Sequence, residues 1–502
     1  MKTSAFDNQR YLKEQGQAIL ERIKLFSGKL YLEFGGKLLH DYHAARVLPG
    51  YDPNIKVELL KLLKDKIDII LCIYAGDIEK GKIRGDFGIT YAVDALKLID
   101  DLREHGLKVI GVVITRFENQ PQVVSFKTKL ENRDIKVYLH SATQGYPTDV
   151  DTIVSPAGYG RNTYIETTKP IVVVTGPGPG SGKLATCLSQ LYHDHRRGIN
   201  SGYAKFETFP IWNLPLKHPA NIAYEAATAD IQDFNMIDPY HLNAYQKSAV
   251  NYNRDVEIFP VIQRIMKKIM GEHMPYQSPT DMGVNRAGFA ITDDQIVQEA
   301  AKQEIVRRFF RYQLEHLLGV EKKQTVQRVV LLMEEVGVTP EDRKVVKPAR
   351  QAAAAASRKM PEGPGTGAAL ELPDGTTVTG KSSPLMSASS SLILNAIKQL
   401  AEIPDKIHLL APNIIEHIRN LKKDILRLKN EGLDLEETLI ALSMSAATNP
   451  TAEMAMAKLR ELAGCEVHLT HIPAPGDELG LRRLKVNLTV DPVFPSRDLY
   501  LQ

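Results

Sequence analysis

A chain of 502 residues is longer than one hydrophobic core sustains, so two or three domains are expected, each large enough to house an enzyme site. Its 63 basic and 60 acidic side chains leave a formal charge of only +3, too balanced to draw nucleic acid or a membrane surface. Neither is expected as a partner, and any charged ligand must be held by local groups.

The first twenty residues, MKTSAFDNQRYLKEQGQAIL, are polar and mixed in charge, with no secretion signal. No apolar stretch approaches the roughly 20 residues needed to cross a bilayer. Cys72, Cys187 and Cys465 lie far apart with no paired spacing, which fits a reducing compartment and a cytoplasmic protein.

Over residues 29–202, short β-rich apolar runs alternate with helical ones. That alternation predicts an α/β, Rossmann-like fold, a mostly parallel sheet with helices on both faces. The strands are expected at 30–34, 67–74, 108–115, 135–139 and 171–175, with crossover helices at 56–63 and 91–104. IDIILCIY and KVIGVVIT are nearly continuous in apolar residues, as strands buried on both faces should be. Beyond Gly202 come Pro-punctuated segments (FPIWNLPLKHP) and helical runs at 261–270 and 294–318, read as a continuation or helical cap. The N-terminal α/β domain is thus expected to span residues 1–330.

Residues 331–390 accumulate Pro, Gly, Ala and Ser (KPARQAAAAASRKMPEGPGTG) and are expected as linker and hairpin, with Asp374-Gly375 at the hairpin turn. A second, smaller α/β domain is expected over 391–502. Its predicted elements are a helix at 392–402, a strand-like IHLLA, helices at 414–430, 435–443 and 451–462, and the terminal runs VHLTHI and LKVNLTV.

The segment IVVVTGPGPGSGKLATCLSQLYHD sets a buried strand, a loop with four glycines and a helix in order. Glycines let backbone N–H groups approach an anion, and the helix start adds unpaired donors and partial positive charge. Gly176, Gly178, Gly180, Ser181, Gly182 and Lys183 are therefore the candidate phosphate-binding group. Against the nucleotide P-loop pattern, Pro177 stands where the first Gly belongs and Leu184 replaces the hydroxyl residue that holds Mg²⁺. Ser181, Thr175 or Thr186 would have to substitute. The cofactor is open, with ATP or another nucleotide a candidate. No G-x-G-x-x-G can be placed, although Glu207 could imitate the ribose-binding acid of a dinucleotide site.

Downstream, Lys205 and Glu207 end a strand on the same sheet edge as Gly176, where open α/β sheets bind ligands. With His218 they form the candidate catalytic set, suited to acid-base or phosphoryl-transfer work. Asn221, Glu225, Asp230 and Asp238 complete a pocket or cap helices. His193 and His195 flank Asp194 near a helix end, where the dipole favours histidine; no metal site is predicted. Gly35, Gly36 and Lys37, with Arg46 nearby, offer a second anion site, and Arg84 and Asp86 lie in a Gly-flanked loop, RGDFGITY. Gly380-Lys381-Ser382-Ser383 and the serines that follow cap a helix or hold an anion.

Five strings, EFGGKLLHDYHAARVLPG, TGPGPGSGKLATCLSQLYH, GYAKFETFPIWNLPLKHPANIAYEAATAD, SPTDMGVN and GTGAALELPDGTTVTGKSSP, resemble a functionally uncharacterised bacterial family common in Gram-positive bacteria. The resemblance spans nearly the whole chain. It implies a large N-terminal and a smaller C-terminal domain dividing near residue 330, a cytosolic protein and a homo-oligomer. It also implies that Pro177 and Leu184 are the family's own pattern, and it carries over no catalytic residues.

Three functions follow. The first is an enzyme holding a phosphorylated small molecule on the Gly176–Lys183 loop; the second is a non-catalytic phospholigand sensor or assembly protein; the third is a nicotinamide-dependent oxidoreductase.

Overall fold

The apolar runs IVVVT and IDIILCIY lie side by side in a computed structural model of the protein, which describes residues 4–26, 28–84, 88–271, 274–358 and 365–495. The chain divides into two compact units, one holding Thr3–Ala301 and the other Lys302–Gln502.

Seven strands form the sheet of the first unit: β1 (Lys29–Phe34), β2 (Ile67–Tyr74), β3 (Val109–Thr115), β4 (Val137–His140), β5 (Ile171–Thr175), β6 (Ser201–Phe206) and β7 (Gly283–Val284). Their order is β7-β6-β1-β5-β2-β3-β4, and every neighbouring pair is parallel. The chain lays β1 to β4 outward first, then returns to insert β5 between β1 and β2. The order of travel therefore reverses at β5, which is where open α/β sheets form a ligand crevice.

Burial explains why these runs became central strands. All of β1 and β5 is buried, as is β2 up to its last residue. Side chains alternate between faces: Leu71, Ile73, Val112 and Ile114 pack with Ala95, Ile99 and Phe126 of flanking helices. The intervening Cys72 faces the other layer, where its thiol donates to Thr186 Oγ1 at 3.4 Å. Each such apolar side chain taken from water contributes about 1.5–3 kcal/mol. The predicted strands agree with the observed ones to within two residues, and the crossover helices are Ile55–Leu62 and Tyr91–Glu104. The α/β reading of this unit therefore stands.

The second unit has a smaller mixed sheet. It comprises β8 (Gly367–Glu371), β9 (Thr377–Lys381), β10 (Glu466–Leu469) and β11 (Asn487–Val490), ordered β9-β8-β10-β11. β8 pairs antiparallel with both β9 and β10, whereas β10 and β11 are parallel. Gly375 takes φ +88° in the β8–β9 turn, as the Asp-Gly pair requires. Arg343, 1% exposed, ties β10 to β11 through Val467 O (3.2 Å) and Asn487 O (2.8 Å) and pairs with Glu466 Oε2 at 2.6 Å.

Three expectations fail here. Residues 331–390 form a hairpin but no linker, since they hold the helix Val346–Ser357 and the strands β8 and β9 of this sheet. IHLLA is not a strand: Leu409 and Leu410 anchor an irregular segment in the core, and Pro412 then opens a helix at its first position. That helix runs only from Pro412 to Asn420, because Leu421–Ile425 widens to a π turn. The buried ammonium of Lys422 draws this turn toward Gly432 O (2.6 Å) and Glu437 Oε2 (2.7 Å).

Candidate functional site

β5 ends between β1 and β2, and the glycine-rich turn starts there. A Cβ at Gly176 would collide with Cys72 O of β2 and lie 2.7 Å from Ser181 Oγ, so only glycine leaves the strand at this point. Gly182 has φ +88°, and a Cβ on it would meet Thr115 Cγ2 at 2.7 Å. Thr115 Oγ1 donates to Ser181 O at 2.8 Å, and the Arg116 guanidinium donates to Gly180 O at 2.6 Å while stacking 3.5 Å over the Tyr74 ring. These contacts hold the turn through its carbonyls. Among the described residues, none accepts a hydrogen bond from the N–H groups of Gly178, Gly180, Gly182 or Lys183.

The helix that follows, Lys183–Arg196, is 14 residues long and buries Cys187, Leu188 and Leu191. Its partial positive end therefore coincides with the open turn. Lys183 Nζ folds back to Gly178 O (3.3 Å) and Ser181 Oγ (3.4 Å), contacts that neutralise none of its charge. Of the hydroxyls able to replace the missing one at Leu184, Thr186 accepts from Cys72 and Ser181 is buried against Gly176. Thr175 Oγ1 is buried with no hydrogen-bond partner among the described residues.

The second glycine pair lands beside the first. A crevice of ≈ 40 Å³ is lined by Lys37, His40, Arg84, Lys97, Gly176 and Pro177, together with Asp94 and Asp101. Arg84 is paired with Asp94, and Lys97 with Asp101 at 2.5 Å. Lys56, 1% exposed, braces the turn from beneath by donating to Lys37 O (3.0 Å) and pairing with Asp41 Oδ2 (2.8 Å). Burial disfavours the charged form of Asp41, but Lys56 outweighs it and holds that carboxyl below the usual range. Asp86 lies outside the described residues.

Lys205 and Glu207 are adjacent, at the carboxyl end of β6. Lys205 Nζ lies 3.0 Å from Glu207 Oε1 and 2.5 Å from Asp255 Oδ2, and it also contacts the Tyr252 hydroxyl. Burial works against the ammonium, yet Asp255 and Glu207 together hold its pKa well above normal. Glu207 moves up to about 7, mainly through burial, with Asp255 adding like-charge repulsion against the pull of Lys205. With two carboxylates on its ammonium, Lys205 has no net charge to offer a phosphate. Within the candidate catalytic set it stands as counter-ion to Glu207 and Asp255.

His218 does not join this pair. Its Nδ1 accepts from Ala220 N, capping the helix Pro219–Ala227, and its Nε2 lies 2.9 Å from Asp294 Oδ1. Asn221 and Glu225 are likewise used internally, by Ile211 N and Asn235 N, and Asp238 caps the helix Pro239–Tyr245. His193 and His195 bond to Asn162 O and Ser201 O, and no group of three potential metal ligands occurs among the described residues.

Arg116, Asp255 and Tyr252 went unnoticed in the sequence. Arg116 had a signal, since it directly follows a buried parallel strand and so must stand at the ligand edge. Asp255 and Tyr252 had none: they reach Lys205 from about fifty positions downstream, around the start of the helix Asn253–Met270.

Among the described residues no helix is long and apolar enough to cross a membrane. Two family models cover most of the chain: "Domain of unknown function DUF1846, N-terminal" over residues 4–337 and its C-terminal counterpart over 341–500. The chain is 60% identical over 496 residues to a UPF0371 protein of Clostridium botulinum strain Kyoto, covering 99% of both chains. It is 58% identical to a UPF0371 protein of C. botulinum strain Alaska E43 and 56% identical to one of Clostridium tetani strain Massachusetts, again over 99% of each. A two-part match along nearly the full length makes the chain a member of the DUF1846 (UPF0371) family.

Proposed function

We propose that the protein is an enzyme that binds a phosphate-bearing small molecule or nucleotide on the Gly176–Lys183 turn. The observation that carries this reading is the row of main-chain N–H groups without internal acceptors at the start of a 14-residue helix, beside the unneutralised charge of Lys183. An anion there would gain several charge-assisted hydrogen bonds and the favourable end of the helix dipole. Lys37 and Arg116 add cationic groups at the rim.

Glu207, protonating near neutrality, would supply acid-base chemistry on the same sheet edge. Leu184 argues against the usual Mg²⁺-triphosphate arrangement. The nicotinamide reading has less support, because no G-x-G-x-x-G can be placed in the turn. The buried thiols of Cys72 and Cys187 support a reducing compartment.

Thermal-shift screening with nucleotides, dinucleotides and sugar phosphates tests the proposal. At least one compound should raise the Tm of the wild type, with stabilisation of about 2.7 kcal/mol at a hundredfold excess over Kd, and Lys183→Ala should lose that shift. Turnover of the stabilising compound identifies an enzyme, and stabilisation without turnover a sensor. No response to any phosphorylated compound, or an equal response in Lys183→Ala, would refute the site.

A further inference from the structure

Glu33, the penultimate residue of β1, is 8% exposed, and Tyr203 OH donates to its Oε2 at 2.9 Å. Among the described residues no cation pairs with Glu33 and none donates to its Oε1. Other buried acids of this unit are compensated. Asp41, Asp94 and Asp194 pair with Lys56, Arg84 and Lys29, and Asp68 and Asp238 each accept several hydrogen bonds. A buried carboxylate held by one neutral hydroxyl is costly, so its charge stands ready for a cation.

The fold sets this carboxylate beside the glycine-rich turn. Glu33 pairs in register with Val174 of β5 and Lys205 of β6. Its side chain therefore shares the sheet face of Val174, two residues before Gly176, at one strand spacing of about 4.8 Å. The helix Lys183–Arg196 covers that face: Asp194, near its end, meets Lys29 and Tyr31, which alternate along β1 onto the same side as Glu33. The helix thus runs back along β1 and begins over the strand's carboxyl end. Cys187, one turn inside the helix, is subject to both charges: burial pushes its thiol well up, Glu33 adds to that, and Lys183 opposes it.

Charge balance decides what this pair of groups needs. A phosphate monoester carries about two negative charges near neutral pH, and on the turn it would be repelled by the uncompensated Glu33. The single ammonium of Lys183 cannot balance both, and Lys205 is already committed to Asp255 and Glu207. A divalent cation can. Mg²⁺ takes oxygen ligands and is commonly held by one or two carboxylates together with phosphate oxygens and water. Such a site needs no group of three protein ligands, and none occurs among the described residues. Glu33 would also supply the oxygen ligand that Leu184 lacks.

We infer that Glu33 is a metal-binding residue: with a phosphate group on the Gly176–Lys183 turn, its Oε1 ligates a Mg²⁺ ion that also binds the phosphate oxygens. The inference rests on the phosphate reading of the turn and adds the metal to it.

Isothermal titration of the full chain with inorganic pyrophosphate and with ATP, each in EDTA and in excess Mg²⁺, tests it. In the wild type Mg²⁺ should tighten binding of at least one of them about tenfold or more, a difference of about 1.4 kcal/mol. Glu33→Gln, which keeps an acceptor for Tyr203, should bind that compound in EDTA at least as tightly as the wild type does and should lose the Mg²⁺ increment. Lys183→Ala should weaken binding under both conditions. A second measurement needs no variant: Fe²⁺ in place of Mg²⁺, with ascorbate and peroxide, should cut the wild-type main chain near residues 33–36 and 175–183, and only with the compound bound. Equal binding with and without Mg²⁺, a full Mg²⁺ increment in Glu33→Gln, or cuts confined to other segments would overturn the metal site and leave the turn's phosphate reading standing. Binding of neither compound under either condition would also overturn it. Undiminished binding in Lys183→Ala would refute the turn itself, and this site with it.

Discussion

Glu207 and Asp255 share a single cation: Lys205 Nζ is 2.5 Å from Asp255 and 3.0 Å from Glu207. One ammonium cannot fully neutralise two buried carboxylates, so the more distant one holds a proton to higher pH. That physical asymmetry is why burial lifts Glu207 to about 7 while Lys205 stays charged.

The consequence is a stability that falls with pH. Because the folded state holds the Glu207 proton more tightly than an ordinary carboxyl does, its contribution is full below about pH 4.5 and disappears as pH rises through about 7. Between pH 5 and 8 the wild type should lose on the order of 2–3 kcal/mol relative to Glu207→Gln, measured by urea unfolding. Parallel pH profiles for the two proteins would contradict the assignment.

Gly182 and Gly180 separate two kinds of constraint in one turn. Both have positive φ, but a Cβ at Gly182 meets Thr115 whereas one at Gly180 meets nothing within 4 Å. Gly180→Ala should therefore carry only the backbone penalty, about 1–2 kcal/mol. Gly182→Ala adds displacement of Thr115 and should cost about 3 kcal/mol or more. Equal urea midpoints for the two variants would mean that the turn is not held against β3.

Asp194, fully buried, accepts from Tyr31 OH at 2.7 Å and Tyr164 OH at 2.8 Å and lies 3.4 Å from Lys29 Nζ. Asp194→Leu should destabilise the protein by about 3–5 kcal/mol, because it strands a buried ammonium and two hydroxyls. Added divalent metal should change the wild type's unfolding midpoint no more than the variant's. A metal-dependent stabilisation confined to the wild type would instead place a metal at the His193-Asp194-His195 run.

How far each feature could be read depended on how local its cause was. The strand at 67–74 was legible because burial on both faces demands a run such as IDIILCIY, and the turn at Asp374-Gly375 because its geometry demands that dipeptide. The Gly176–Lys183 turn was legible for the same reason. IHLLA misled because a short, mostly apolar run suits a strand and a buried irregular segment equally, and only the Pro412 helix start separates the two.

What the amino-acid order determined by itself was the set of elements and the layered architecture, since both follow from periodicity and from glycine positions within a few residues of one another. Only the tertiary structure decided that β5 inserts between β1 and β2, that Lys37 reaches the Gly176 turn, and that His218 serves as a cap. It alone brought Asp255 to Lys205, and with it the proton on Glu207. Charge interactions and strand order depend on distances through space, and spacing along the chain does not encode those distances.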